Sequence, residues 1–543
     1  MRNKINRSAY MRYKLLVSLC LASLSCFIAI AQETNEYTIK INPDHEYQVM
    51  HSFGASDAWR CQFIGKYWPE EKKEQIARWL FSKKFDSKGN PEGIGLSLWR
   101  FYIGAGSMEQ GDSSGIFNFW RRAECFQNPD GTYDWNKHKG QQWFLEAAER
   151  YEVDYSLAFT ISAPVNMTVN GKAFNEGGNA SMNIKTGMMK DYSRFLTDVI
   201  EHFEKEGRPI DYISPFNEPQ WNWNKGNQEG TPATNEDIFE FTSLLSHELN
   251  NRNLQTEIAF GECASINYLF NAEKNNLSRS DQIKVFFDKK SPFFIGDLPK
   301  LRQIISSHSY FTTWPVNIQL KARQKLANRI HEINPELEYW QSEFCILESN
   351  DEITGGGVRD LGMGTALYVA RVIHSDITVA HASSWQWWTA ITQCDYKDGL
   401  IYIDENGIPG NPNSENLKFD GDYHDSKLLW ALGNYSRFVR PGMHRIEVNN
   451  LSGIPEIKQL TDLMVSGYKS DNEIVLVFVN QSEYSKIIDF AGEVLPENLR
   501  VKTYITDKNR NLEFCEEKIK NICVPPRSLM TMIIERKYIN DTL

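Results

Sequence analysis

The stretch Ile210-Asp-Tyr-Ile-Ser-Pro-Phe-Asn-Glu-Pro-Gln-Trp-Asn-Trp223 decides the reading of this chain. A short apolar run, Ile210, Tyr212 and Ile213, ends on Asn217-Glu218-Pro219 and then on two tryptophans. Ahead of it lies an apolar stripe at three- and four-residue steps, Met189, Tyr192, Phe195, Leu196, Val199, Ile200 and Phe203, which predicts a helix; Gly207 supplies its stop signal. Helix, glycine, strand and a carboxylate at the strand end make one unit of an alternating β/α pattern. A lone Glu in such a place is more often a solvated loop carboxylate, so its meaning depends on a partner elsewhere.

Working outward, short β-rich runs alternate with helical patterns from about residue 50 to 430. Eight strands are expected: Val49–Phe53, Gly95–Phe101, Tyr155–Thr160, Ile210–Phe216, Thr256–Gly261, Ile304–Tyr310, Leu337–Glu343 and Ala382–Trp387. Eight strands separated by helices predict an α/β fold of the (β/α)8 barrel type, with a doubly wound open sheet as the alternative. Further helices are expected from Pro69, with Glu70 and Glu71 at the positive end, and around Ile238–Leu249. After Asn434 the pattern turns to short strands, Leu463–Tyr468, Glu473–Val479, Lys486–Phe490, Val501–Ile505 and Ser528–Glu535, with Tyr37–Ile41 alternating in the same way. The expected organisation is a signal peptide over 1–31, a catalytic barrel over 50–433, and a side antiparallel β-sandwich built from 32–49 and 434–543.

Composition narrows the function. The 543 residues are 41% hydrophobic and 24% charged, with a net charge of -11. That balance argues against nucleic acid as a partner. Arg2, Lys4, Arg7, Arg12 and Lys14 precede the apolar run Leu15–Ile30, and Ala29-Ile30-Ala31 offers a cleavage site, so a secreted or periplasmic protein is expected. Cys26 raises a lipid anchor at the cell surface, but apolar Phe27, Ile28 and Ile30 follow it. No other segment is long and apolar enough to span a membrane. Two of the nine Cys fall in the leader and the rest are scattered, with Cys515 and Cys523 read as free thiols rather than a pair. No spacing suggests a metal, and there is neither a nucleophile elbow nor a phosphate loop.

Barrel chemistry sits at the C-terminal ends of the strands. The fourth strand ends in Glu218 and the seventh in Glu343, and alternation aligns Tyr339, Gln341 and Glu343 on one face. Paired carboxylates are what glycosidic bond cleavage needs: one protonated toward the leaving oxygen, one ionised toward the developing cation. Pro219 favours an extended backbone at Glu218. Asn217 and Glu218, being adjacent, enter one site only if the strand bulges or ends there. Arg100, His308 and Tyr310 mark other strand ends, Trp385 and Trp387 share a face with Trp388 opposite, and Asp57 either caps a helix or binds a hydroxyl. Rings with polar edges suit sugars.

With these residues in view, the chain resembles glycoside hydrolase family 30, within the retaining (β/α)8 glycosidase clan. The motifs are Ser52-Phe-Gly-Ala-Ser-Asp57, Arg100, Asn217-Glu218-Pro219, His308-x-Tyr310, Ser342-Glu343-x-Cys345, Trp385–Trp388 and Asn434–Gly442. The resemblance implies Glu218 as acid/base and Glu343 as nucleophile. It further implies Asn217 at the 2-hydroxyl, Tyr310 near the nucleophile, and Asp57, Arg100, His308 and Trp387 shaping the sugar subsite. Trp99–Ser107 and Phe119–Cys125 look most like the endo-β-1,6-galactanase branch, although Asn166 stands where relatives usually carry Trp. The expected activity is hydrolysis of β-1,6-linked galactan by double displacement, without a cofactor or metal, on a polysaccharide or oligosaccharide. Alternatives are a β-1,6-glucanase, an exo-acting galactosidase or galactobiohydrolase, a xylanase or glucosylceramidase-like enzyme, or a non-catalytic sugar-binding protein.

Overall fold

The structure, a computed structural model, describes residues 35–410, 414–491 and 499–535. The expected signal peptide lies outside them. The chain opens with β1 (Asn35–Val49). There follow β2 (Ser52–Ser56), β3 (Leu98–Tyr102), β4 (Tyr155–Phe159), β5 (Tyr212–Ser214), β6 (Glu257–Ile258), β7 (Ile304–His308), β8 (Glu338–Glu343) and β9 (Ala382–Trp387). These last eight are the eight expected strands. They form one parallel sheet in the order β6-β5-β4-β3-β2-β9-β8-β7. Single bridges Ile258–Leu301 and Cys263–Ser307 join its two ends, closing the barrel beyond the very short β6.

Local sequence accounts for the outer ring. The helix Met189–Lys205 buries Tyr192, Phe195, Leu196, Val199, Ile200 and Phe203, and ends ahead of Gly207 at φ = 80°. Pro69 caps the helix Glu70–Phe81, and Thr234 with Asp237 forms a reciprocal capping box on Asn235–Asn251. Inside the barrel, Leu98, Leu157, Tyr212, Ile304 and Trp340 fill the lower layer. The floor is plugged by His51, stacked on Tyr155 at 4.1 Å and donating or accepting with the Tyr212 hydroxyl at 3.0 Å. Burial, with Arg302 adding to it, pushes His51 down to about 3, so this imidazole is neutral.

A three-stranded sheet, β10 (Ile391–Thr392), β11 (Ile401–Asp404) and β12 (Asp422–Asp425), decorates the barrel after β9. The second large sheet holds β1 with β13 (His444–Asn450), β14 (Leu463–Lys469), β15 (Glu473–Asn480), β16 (Lys486–Phe490), β17 (Arg500–Thr506), β18 (Glu513–Lys518), β19 (Ile522–Val524) and β20 (Ser528–Glu535). Its pairings are antiparallel except β1 with β16. The N-terminal strand therefore completes a domain made from the other end of the chain, as expected.

β15 shows how the two parts adhere. Ile474, Leu476 and Phe478 enter the core of the side domain, while Val475, Val477 and Val479 enter the core shared with the barrel. A strand apolar on both faces is the mark of burial on both sides. Cys515 and Cys523 are free thiols.

Candidate active site

Beyond Ser214 the chain leaves the sheet, and this resolves the problem of two neighbours entering one site. Asn217 and Glu218 both line a cavity of about 530 Å³ at the C-terminal end of the barrel. Glu218 takes φ = 47°, so the extended backbone expected ahead of Pro219 is not adopted. That left-handed conformation is unfavourable for a side chain with a Cβ. It is held by the Glu218 N–H donating to the Glu262 carbonyl at 2.8 Å and by Trp223 Nε1 donating to the Glu218 carbonyl at 3.1 Å.

Glu343, the last residue of β8, meets the same cavity. One ligand atom each from Glu218, Glu343 and His308 lies within 4.8 Å of the others. Tyr310 donates its hydroxyl to Glu343 Oε1 at 3.0 Å, and Arg100 Nη1 lies 3.2 Å from Oε2 and 2.8 Å from the Ser342 carbonyl. His308 Nδ1 is 2.9 Å from Glu218 Oε1 and 3.5 Å from Glu343 Oε1. Its Nε2 reaches a third carboxylate, Glu262 Oε2, at 2.9 Å, and Arg100 Nη2 pairs with that same oxygen at 3.2 Å.

Glu262 was not visible from strand patterning, because the apolar run stops at Gly261. It sits one residue past that run, at φ = 60°, fully enclosed beneath the cavity. The signal was available: Gly261-Glu262-Cys263 is a carboxylate just beyond the end of the fifth strand.

The electrostatics follow from this grouping. Burial works against the His308 cation, but Glu343 and the hydrogen bonds to Glu218 and Glu262 outweigh it and push the imidazole up to about 10. Burial likewise opposes ionisation of Glu262, yet Arg100 and His308 bring its carboxyl below the ordinary value. Glu343 is raised, chiefly by burial, against the pull of His308 and Arg100. Tyr310 is pushed far up by burial and neighbouring anions, so its phenol keeps the proton it donates. The Glu218, His308 and Glu343 spacing could also bracket a metal ion. In this structure the same side chains form a hydrogen-bonded ion cluster.

A test follows from the sign of the His308 shift. A raised folded pKa gives stability that is complete below about 6.5 and lost as pH rises through about 10. The difference in Tm between wild type and His308→Gln should therefore shrink from pH 6.5 to 10. Parallel curves over that range would contradict a protonated His308.

The remaining expected residues separate into two groups. Asn217 and Tyr310 line the cavity, and Asn217 Oδ1 is buried without a hydrogen-bond partner. Arg100 and His308 lie beneath the carboxylates, with Arg100 seated over the Phe159 ring at 4.5 Å. Asp57 is buried, accepting from the Tyr102 N–H at 3.0 Å, and burial holds its pKa well above the usual range against Tyr102 and Arg100. Trp387 is also fully buried, stacked on Trp385 and donating to the Asp398 carbonyl at 2.9 Å. Trp388, which strand alternation placed on the opposite face, is the one that lines the cavity. β9 ends at Trp387, so the next side chain is released from the alternation. Trp59, Arg60, Arg121, Trp223 and Asp398 complete much of the wall.

A second buried carboxylate outside the expectation, Glu229, braces this wall. It accepts from the Tyr102 hydroxyl, from Ala105 N–H at 3.0 Å, and from Ser107 N–H and Oγ at 3.2 and 2.5 Å. It thus ties the loop after β5 to the Gly104-Ala-Gly106 loop after β3. Burial pushes it up to about 7 despite those donors.

Comparison with known proteins gives a consistent set. The model of O-glycosyl hydrolase family 30 matches residues 36–402. A curated exo-β-1,6-galactobiohydrolase from Bifidobacterium longum is 23% identical over 239 residues, 35% of this chain and 16% of that protein. The glucuronoxylanase XynC of Bacillus subtilis is 23% identical across 68% of this chain and 71% of its own length. Among solved structures, a conserved exported protein from Bacteroides fragilis is 35% identical, with a TM-score of 0.86 over 92% of this chain and all of that one. An endo-β-1,6-glucanase shares the fold at 18% identity and a TM-score of 0.61, over 91% of this chain and 94% of its own.

Proposed function

Since the chain belongs to O-glycosyl hydrolase family 30, we propose that it is a retaining β-glycosidase that cleaves β-1,6-linked galactan, as in arabinogalactan side branches. The observation that carries the mechanism is the close approach of the two carboxylates, one oxygen of Glu218 lying within 4.8 Å of one oxygen of Glu343. Retaining enzymes hold their carboxyl groups about 5–5.5 Å apart, whereas inverting enzymes leave about 6.5–9.5 Å for a water.

The charges and donors around the carboxylates support the roles. Three carboxylates, Glu218, Glu262 and Glu343, face two cations, Arg100 and His308. Donors favour the ionised form of a carboxyl, so the one with most of them suits the nucleophile and the one with fewest suits the acid. Glu343 receives Arg100 and Tyr310 as well as the nearby His308; Glu262 receives Arg100 and His308; Glu218 receives His308 alone. Glu218 is then the acid and Glu343 the nucleophile. Glu343 forms a bond to the anomeric carbon as the bond to the departing oxygen breaks, and Glu218 gives that oxygen its proton. A water then returns a proton to Glu218 and attacks the same carbon, releasing Glu343 and restoring the β configuration. Asn217, which lines the cavity, binds the sugar hydroxyl beside the reacting carbon, the role that the family resemblance implies.

Galactan is favoured by the likeness of Trp99–Ser107 and Phe119–Cys125 to the galactanase branch and by the relative named as a β-1,6-galactobiohydrolase. Asn166, standing where relatives usually carry Trp, alters a sugar contact, and β-1,6-glucan is the second reading. In this chain Trp223 and Trp388 present rings to the cavity instead. Export belongs to the proposal, supported by the basic and apolar N-terminus and by the exported relative. Among the described residues no helix is long and apolar enough to cross a membrane.

Product analysis on β-1,6-galactan and β-1,6-glucan tests the substrate. A ladder of galactose oligomers is expected; galactobiose alone would make the enzyme exo-acting, and cleavage of glucan only would overturn galactan.

A further inference from the structure

We propose that Arg121 anchors a second sugar subsite, beside the catalytic cavity, that takes a sugar carrying an anionic group, a uronate carboxylate or a sulfate ester. The proposal deepens the glycosidase reading and rests on it. A separate cavity of about 260 Å³ adjoins the catalytic one, and Arg121, Trp223 and Gln228 line both. Its remaining wall brings Lys225, the exposed Trp221 and the amides of Asn224 and Asn227, with no carboxylate. In a chain of net charge -11, a sugar-sized hollow with two cations and no acid is a local reversal of sign.

The neighbouring arginine shows what is unusual. Arg122 has ordinary structural partners, Asp112 and the Ile116 carbonyl, each at 2.8 Å. Among the described residues the Arg121 guanidinium has no hydrogen-bond acceptor and no ion pair; its neighbour is the Trp59 ring, 5.5 Å from the centroid. It is half-buried; burial together with Arg60 works against its charge, and Asp398 supports that charge only from beyond ion-pair distance. A cation partly withdrawn from water with no carboxylate at ion-pair distance is costly, and an anionic ligand removes that cost. Its planar fork of donors matches a carboxylate or sulfate in two-point contact. Trp223, fixed by its bond to the Glu218 carbonyl, offers a face for the sugar ring, and the amides suit its hydroxyls. Asp395 and Asp398 also line the catalytic cavity and are absent from the adjoining wall, so the anion is directed to the Arg121 and Lys225 side.

The test compares ligands that differ only in charge. Methyl β-glucuronide and methyl β-glucoside are titrated into the full-length protein, and methyl 6-O-sulfo-β-galactoside is set beside methyl β-galactoside. Wild type should prefer an anionic member of these pairs by about tenfold, the pair that responds identifying the group. The preference should weaken with salt, collapse to near unity in Arg121→Gln, and return in part in Arg121→Lys. No preference in wild type, or one unchanged in a folded Arg121→Gln, overturns the subsite. Turnover of galactan with and without a terminal glucuronate keeps the two proposals apart. Glucuronide binding without turnover would sink the galactanase reading and leave the subsite, and turnover indifferent to the glucuronate would do the reverse.

Discussion

Glu343→Ala should lower kcat/KM on the polymer by at least about 10⁴-fold, a loss of about 5.5 kcal/mol of transition-state stabilisation. The variant has no group able to form the glycosyl ester, and the remaining carboxylates are not expected to replace it: Glu262 is sealed beneath the cavity and Glu218 is the proposed acid. The fold should not suffer in proportion. Removing Glu343 leaves two carboxylates against Arg100 and His308, a balanced set, and Arg100 keeps Glu262 at 3.2 Å. A Tm close to or above that of wild type, with activity gone, is the expected combination; sites arranged for chemistry commonly sacrifice stability. Equal turnover in variant and wild type would remove Glu343 from the mechanism.

Glu218→Gln has the second largest effect, and it should depend on the substrate. General acid assistance contributes about 10²–10⁴-fold when the departing alkoxide is basic. The loss should be of that order on oligosaccharides and small for the first step on a dinitrophenyl glycoside, whose leaving group needs no proton. That split in Michaelis parameters separates an acid from a residue that merely shapes the site, because a shaping residue would depress both substrates alike. Equal losses on the two substrates would contradict the role.

Much of this was legible because barrels translate position in sequence into position in space. A carboxylate at the end of an apolar run, in a chain of alternating strands and helices, has one place to be. Glu218 and Glu343 followed from that rule, and β9 and β16 even matched at both ends. What failed did so for local reasons. β18, Glu513–Lys518, is mostly charged and lies at the edge of its sheet, where apolar alternation is not required. β12, Asp422–Asp425, has Tyr423 as its one core-facing ring among polar residues. The extended backbone expected of Glu218 gave way to tertiary bonds from Trp223 and to Glu262. Trp387 and Trp388 could not be told apart by a period of two, because the strand ends between them. Glu229 carries no strand-end pattern and Glu262 only its place just beyond the fifth strand; their meaning comes from Arg100, His308, Tyr102 and Ser107, supplied by distant parts of the chain.

The central claim is that Glu343 becomes covalently bonded to sugar. It is tested most directly by incubating wild type with 2-deoxy-2-fluoro-β-glycosyl fluorides of galactose and glucose and mapping the adduct by mass spectrometry of the digested protein. The account predicts one added fluorosugar on the peptide that contains Glu343, absent in Glu343→Ala. An adduct on Glu218 or Glu262, or turnover of these reagents with release of the α product and no adduct, would contradict it.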